Sequence, residues 1–351
     1  MTVTTKITYR LAPEWASQSG VMLTWPHRDT IWADTLDDID GVFVNVAREI
    51  SQREKLLVVC FDTVHKEHVK NLLMHANVNL QNIYIFLAPC NDVWVRDHGP
   101  ITVYRHDQPV LLDFVFNGWG NKYPADLDNH LTRTLHQQKA FGMTPMHAVK
   151  FVLEGGSIET DGAGTLMTTS RCLLSPERNP ALKKPEINQL LADMFGVQQV
   201  LWLDYGKLAG DDTDGHIDTL ARFVDEHTIC YIQCDDPADE HYFELQAMKA
   251  QLETFTNVYG IPYRLIPLPM PKPRYAAYDG RRLPATYANF LIINHAILVP
   301  TYDDPADHIA LSTLKECFPG RDVIAIDCSP VIQWYGSLHC MTMQLPHGVL
   351  S

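Results

Sequence analysis

Apolar positions change their spacing many times along this chain. Short runs that alternate or cluster β-branched residues fall at 21–25, 55–61, 83–87, 101–104 and 110–116, and each reads as a strand. Between them the period lengthens: 37–53 carries Ile39, Val42, Val44, Ala47 and Ile50 at near-helical spacing, and 65–74 carries Val69, Leu72 and Leu73 similarly. Later runs double back at turn residues, 156–169 at Asp161-Gly162, 219–233 near 225–227 and 287–299 near Asn294. A helical stretch follows each pair, at 184–194, 242–254 and 305–318, the last capped by Asp304 with Pro305 in its first turn. Single strands at 200–203, 264–267 and 323–326 complete the pattern. The unit strand-strand-helix-strand thus recurs about five times, evenly enough to predict one α/β domain over 1–351. The proline-rich stretch 266–273 is the best linker candidate, but it is short and reads as a loop over one face. The repeat is one of pattern, not of identity, and propeller-like closure is one of several arrangements it permits.

Composition narrows the function classes. Of 351 residues, 46% are apolar and 20% charged, which is ordinary globular usage. Twenty-eight Lys and Arg stand against 42 Asp and Glu, a net charge of −14 and the wrong sign for gripping phosphate backbones, so no nucleic-acid partner is expected. The first fifteen residues lack a secretory apolar run, and the longest apolar segment, 290–300, is broken by Asn294 and His295 and falls well short of the ~20 residues that span a bilayer. Eight irregularly spaced cysteines read as free thiols in a reducing compartment. The expectation is a cytoplasmic protein with no membrane contact.

Candidate chemistry falls in four clusters at strand ends and turns. The first, 91–100, sets charged residues around Trp94 before a Gly-Pro turn; the second, 153–157, is Leu-Glu-Gly-Gly-Ser, whose glycines admit a close backbone approach beside the Glu154 carboxylate. The third, Gly210-Asp211-Asp212-Thr213-Asp214-Gly215-His216-Ile217-Asp218, suits either a cation held by carboxylates or a proton-transferring His beside them, and it lacks the twelve-residue EF-hand spacing. In the fourth, 335–342, Cys340 has a polar, glycine-flanked setting, whereas Cys60, Cys230 and Cys328 lie in apolar runs and read as buried small hydrophobes. Brought together, a thiol nucleophile, a His and several carboxylates suit attack on a cationic carbon, and guanidinium, whose planar fork matches carboxylates, is the obvious group.

These motifs together resemble the agmatine deiminases of the bacterial peptidyl-arginine deiminase-like family, within the guanidine-modifying superfamily. The likeness rests on 20–26, on Trp94-Val95-Arg96-Asp97-His98-Gly99-Pro100, on Asn117-Gly118-Trp119-Gly120 with Tyr123-Pro124, on 151–156, on 210–218 and on His339-Cys340, in order from end to end. It implies a five-bladed α/β-propeller (pentein fold) of ββαβ units, no metal and no organic cofactor, and by analogy a homo-oligomer. It also implies hydrolysis of agmatine to N-carbamoylputrescine and ammonia, a step in putrescine biosynthesis. By the same resemblance Cys340 is the nucleophile and His216 the proton carrier. Asp97, Asp218 and Glu154 hold the guanidinium, Trp94 lies along the alkyl chain, and Asp212, four residues before His216, faces the distal amine. His98 and Val95 depart from the residues common in agmatine enzymes, which leaves a deiminase of free or peptidyl arginine as the alternative substrate reading. A non-catalytic cation-binding propeller and a metal hydrolase built on the Asp-rich loop are the other classes.

Overall fold

The computed structural model describes residues 9–350, folded into five small sheets of three or four strands. Three sheets follow one plan. A hairpin is followed by a helix and a strand returning parallel to the hairpin's second member: Ile158–Thr160 and Thr165–Thr169 with Gln199–Leu203, Ala221–Asp225 and Thr228–Gln233 with Arg264–Pro269, and Leu291–Ile293 and Ala296–Thr301 with Asp322–Asp327. The crossover helices are Lys184–Phe195, Tyr242–Leu252 and Pro305–Cys317. Asp304 caps the last, its side chain accepting from the Ala306 N–H.

The other two sheets carry an extra strand. Ile101–Arg105, Gln108–Val115 and Met146–Val152 form the same unit around the helix Asp128–Gln137, with Tyr9–Leu11 added on the near edge. Gln18–Thr24, Lys55–Cys60 and Ile83–Leu87 run parallel, joined by the helices Leu36–Ser51 and Thr63–His75. Met343–Pro346 supplies their antiparallel partner from the far end of the sequence and so closes the last unit on the first. Around this ring helices lean on the outer strand of the preceding sheet: Pro305–Cys317 on Arg264–Pro269, and Leu36–Ser51 on Asp322–Asp327.

Burial grades outward. Leu291–Ile293, Ala296–Thr301 and Thr165–Thr169 are buried on both faces, which is why they read as continuous apolar or Thr-rich runs. The outer strand Asp322–Asp327 is exposed at both ends. Among the described residues no helix is long and apolar enough to cross a membrane.

Two expectations change. The proline-rich stretch is strand as far as Pro269, because Arg264–Pro269 is an outer strand bonded on one side only, and edge positions tolerate proline. The hairpins expected at 156, 219 and 287 start later, at 158, 221 and 291. Gly155–Ser157 and Ile217–Thr219 are single 3-10 turns. The carbonyls of Ala288 and Phe290 are taken by the buried Arg222 guanidinium at 3.1 and 2.7 Å instead of by a neighbouring strand. The strands Tyr9–Leu11, Met146–Val152 and Met343–Pro346 and the helix Asp128–Gln137 had no clear signal in the sequence.

Candidate active site

The late start of these strands frees the turns before them to meet at one point. The short helix Val95–His98 is tied to the C-terminal motif by a hydrogen bond from the Arg96 N–H to the Cys340 carbonyl, 3.1 Å. Asp97 projects from it, its Oδ1 accepting from the Gly156 N–H (3.0 Å) and its Oδ2 from the Trp119 indole (2.9 Å). Trp119 reaches it because the turn at 118–120 is left-handed throughout, with φ of 66°, 55° and 86°, a strained path for a tryptophan.

Gly156 marks the meeting point. A Cβ there would lie 2.7 Å from His216 Nδ1, 2.9 Å from Asp97 Oδ1 and 3.0 Å from Asp218 Oδ2, so only glycine leaves room. His216 Nδ1 is 3.6 Å from Asp97 Oδ1. Cys340 Sγ lies 4.0 Å from Asp218 Oδ2 and 3.4 Å from Asn289 Oδ1, which also accepts from the His339 N–H at 2.9 Å. Neither His216 ring nitrogen, nor Asp218 Oδ1, has a hydrogen-bond partner among the described residues, although all are buried. Groups so expensive to leave unpaired are open positions for a ligand.

The charges are arranged for a cation. Burial lifts the Asp97 carboxyl to about 6, His216 opposing and Asp218 adding to the shift. Burial disfavours the charged His216 ring, but Asp97, Cys172 and Glu154 around it together outweigh this and hold the ring well above its ordinary range. Burial would also raise Asp218, yet its bond to His339 together with the neighbouring charges of His339, His216 and Arg222 keeps it below the usual carboxylate value. Cys340 is driven well above an ordinary thiol by burial first and then by Asp218 and Asp97. A cation placed among these groups would lower the carboxyl and the thiol together.

A pocket leads outward from Cys340, lined by Asp92, Trp94, Asp97, Trp119, Tyr123 and Asp212 among others. The Trp94 ring lies flush on the backbone at Gly336, where a Cβ would come within 2.2 Å of it. Asp212 accepts from the Tyr123 hydroxyl at 2.9 Å, and burial raises it to about 6. The other acids of this loop point elsewhere. Asp211 folds back on its own turn through the N–H groups of Thr213 (3.1 Å) and Gly215 (2.6 Å), while Asp214 pairs with Lys122 (2.8 Å) and Arg178 (2.7 Å).

All seven residues singled out from the sequence are therefore near one another, in differing states. Cys340, His216, Asp97 and Asp218 form the centre; Trp94 and Asp212 line the approach. Glu154 is already engaged: both its oxygens accept from Arg178 Nε, at 2.9 and 3.1 Å, and it lies with Cys172 and His216 inside a 4.8 Å cluster. Arg178, Cys172, Asn289 and Glu14 were not foreseen. Asn289 alone carried a signal, as an amide inside the apolar run 287–293.

The comparisons with known proteins agree with this geometry. The family model of the Porphyromonas-type peptidyl-arginine deiminases matches residues 10–346. A solved Porphyromonas gingivalis protein, provisionally described as an arginine deiminase, is similar at 49% identity and a TM-score of 0.92, over 98% of this chain and 100% of that one. The Campylobacter jejuni agmatine deiminase, solved as a Cys-to-Ser variant with substrate bound, is similar at 38% identity and a TM-score of 0.90, over 97% of each chain. The agmatine deiminase of Ectopseudomonas mendocina is 32% identical over 360 residues, 96% of this chain and 95% of that protein. The five-unit ring is the pentein fold, shared even at 10% identity and a TM-score of 0.52 with an amidinotransferase of Microseira wollei. The chain belongs to the Porphyromonas-type peptidyl-arginine deiminase family.

Proposed function

We propose that this protein hydrolyses agmatine to N-carbamoylputrescine and ammonia. The observation that carries the reading is the convergence of His216, Asp97 and Asp218 on one spot too tight for a Cβ, with the Cys340 sulfur 4.0 Å from Asp218 at the end of an acidic, aromatic pocket. Asp218 Oδ1 and Asp97 take the guanidinium N–H groups. The arriving positive charge favours the Cys340 thiolate, the thiol proton passing to solvent as substrate binds, and the sulfur attacks the guanidinium carbon. His216 gives its proton to the leaving nitrogen and ammonia departs, leaving a thiouronium ester on sulfur. Neutral His216 then takes a proton from water, the hydroxide adds to the same carbon, and collapse breaks the C–S bond, the hydroxyl proton passing to the departing sulfur as the ureido product forms. Asp97 holds the charged His216 that the first step requires. Glu154 acts on this pair through its place beside His216, with Arg178 fixing it. Trp94 packs along the butyl chain, and Asp212 receives the distal ammonium. Eight free cysteines support a reducing, cytoplasmic setting.

One observation favours the arginine alternative. The Arg281 guanidinium lies 3.7 Å from the centre of the Tyr335 ring, and Tyr335 lines the pocket, so a cation stands near the place where a substrate carboxylate would lie. Asp212, which lines the same pocket and accepts from the Tyr123 hydroxyl, supports the amine instead. The test is ammonia and ureido product from agmatine, L-arginine and a peptide ending in arginine, with Cys340→Ser as blank. A kcat/KM for agmatine at least tenfold above the others is expected; preference for either arginine form would reverse the substrate assignment.

A further inference from the structure

Behind Asp218 lies a buried ionic chain that the mechanism above does not use. His339 Nδ1 is 2.7 Å from Asp218 Oδ2, and its Nε2 is 2.7 Å from Glu14 Oε2. All three side chains are buried. Glu14 comes from the start of the chain, Asp218 from its middle and His339 from its end. Glu14 Oε1 accepts from the Ile292 N–H at 2.7 Å, and Oε2 also accepts from Arg222 at 2.8 Å. Arg222 in turn bonds Glu159, and the Arg96 guanidinium stands 3.9 Å from Glu14.

Two contacts of 2.7 Å need two protons. A ring nitrogen without one would set its lone pair against a carboxylate lone pair at a separation where only a hydrogen bond is stable. The surrounding charges agree. Glu14 and Asp218 present their oxygens to the ring from its two sides, while Arg222 is shared between Glu14 and Glu159, whose carboxyl burial lifts to about 7. Burial and the two guanidiniums work against a charged ring and depress it; Glu14 and Asp218 work for it, and both contacts are short enough to decide the matter. Asp97 and His216 face Asp218 from the other side.

We propose that His339 is an imidazolium clamped between Glu14 and Asp218, a positioning residue that keeps Asp218 ionised before substrate arrives and turns its free Oδ1 toward the guanidinium. The kinetic consequence rests on the deiminase reading; the protonation state does not. Asp218 and Asp97 lie close enough to titrate as a pair, so losing the His339 charge raises the pH at which both are ionised.

The experiment is nitrogen-15 NMR of the full-length protein labelled at histidine, with His339→Gln used to assign the ring signals. Both His339 nitrogens are expected to carry protons from pH 6 to 8. A bare nitrogen at pH 7 would overturn the proposal, whatever the activity. As the second measurement, Glu14→Gln should move the acid limb of kcat/KM for agmatine up by about one pH unit and raise KM more than it lowers kcat. A purely structural role would lower kcat/KM evenly across pH, and that result would also overturn it. A wild-type protein inactive on every guanidine would instead remove the function proposed above and leave the NMR answer standing.

Discussion

Asn289 helps to hold Cys340, the proposed nucleophile, in place. Its Oδ1 accepts from the Cys340 N–H and faces the Cys340 thiol, each at 3.4 Å, so Asn289→Ala should leave these two donors searching for partners, while the His339 N–H keeps the backbone carbonyl of residue 289 at 3.1 Å. We expect kcat to fall about a hundredfold by misplacement of the sulfur, with Cys340 alkylation by iodoacetamide correspondingly slowed. Gly156→Ala tests the convergence itself. The added methyl would press on His216, Asp97 and Asp218 at once, and kcat/KM should drop by roughly two orders of magnitude or more, read in the ammonia assay, while circular dichroism stays native. In the proposed mechanism Asp97 sets the pH dependence. Its carboxyl is raised to about 6 in the empty site, so protons hold the free enzyme back below that pH, and kcat/KM should decline as pH falls through about 6.

At the scale of elements, most strands and helices of the repeating unit were legible in their apolar runs, although Asp128–Gln137, which buries Leu131, Thr132 and Leu135, was not. The pattern at 37–53 predicted Leu36–Ser51 because its apolar residues pack on the sheet, and 83–87 matched its strand end for end. Met146–Val152 escaped because it is an outer strand with mostly partly exposed or exposed side chains, and its pairing with Gln108–Val115 is set by the neighbour rather than by its own alternation. The site motifs were visible as unusual clusters, but their supports were not. Arg178 lies 24 residues from Glu154 and 36 from Asp214, and nothing in the sequence joins three such distant positions. Replacing it gives the element-scale prediction. Arg178→Met should leave Glu154 buried and unpaired, destabilising the fold by about 3–5 kcal/mol in urea unfolding, and freeing the 211–215 turn.

For the whole molecule the ring has two consequences. Its closure by Met343–Pro346 on Gln18–Thr24 brings Cys340, three residues before that strand, against residues from every other part of the chain. The separate units therefore have no active site of their own. The repeat could be read from the chain, whereas this last strand is four residues long and has no partner nearby in sequence, so closure could not. The second consequence is electrostatic. Asp92, Asp97 and Asp212 all lie in the pocket with carboxyls raised to about 6 by burial, so the folded protein holds their protons more tightly than the unfolded chain. Their contribution to stability is greatest at low pH and is lost as pH rises through about 6. A bound cation needs them ionised and recovers that loss. Agmatine should accordingly raise the melting temperature of Cys340→Ser more at pH 7.5 than at pH 5.5, in a thermal-shift series; an equal shift at both would mean that the pocket acids do not meet the ligand.

The central claim is that Cys340, buried and neutral when the site is empty, becomes the covalent nucleophile when a guanidinium enters. Acid quenching of the wild-type enzyme during turnover of agmatine, followed by intact-mass and peptide mapping, tests it directly. The account predicts a species heavier by agmatine less ammonia, confined to the peptide carrying Cys340 and missing from Cys340→Ser. Turnover by Cys340→Ser at a rate near that of the wild type, or an adduct on another cysteine such as Cys172, would contradict it.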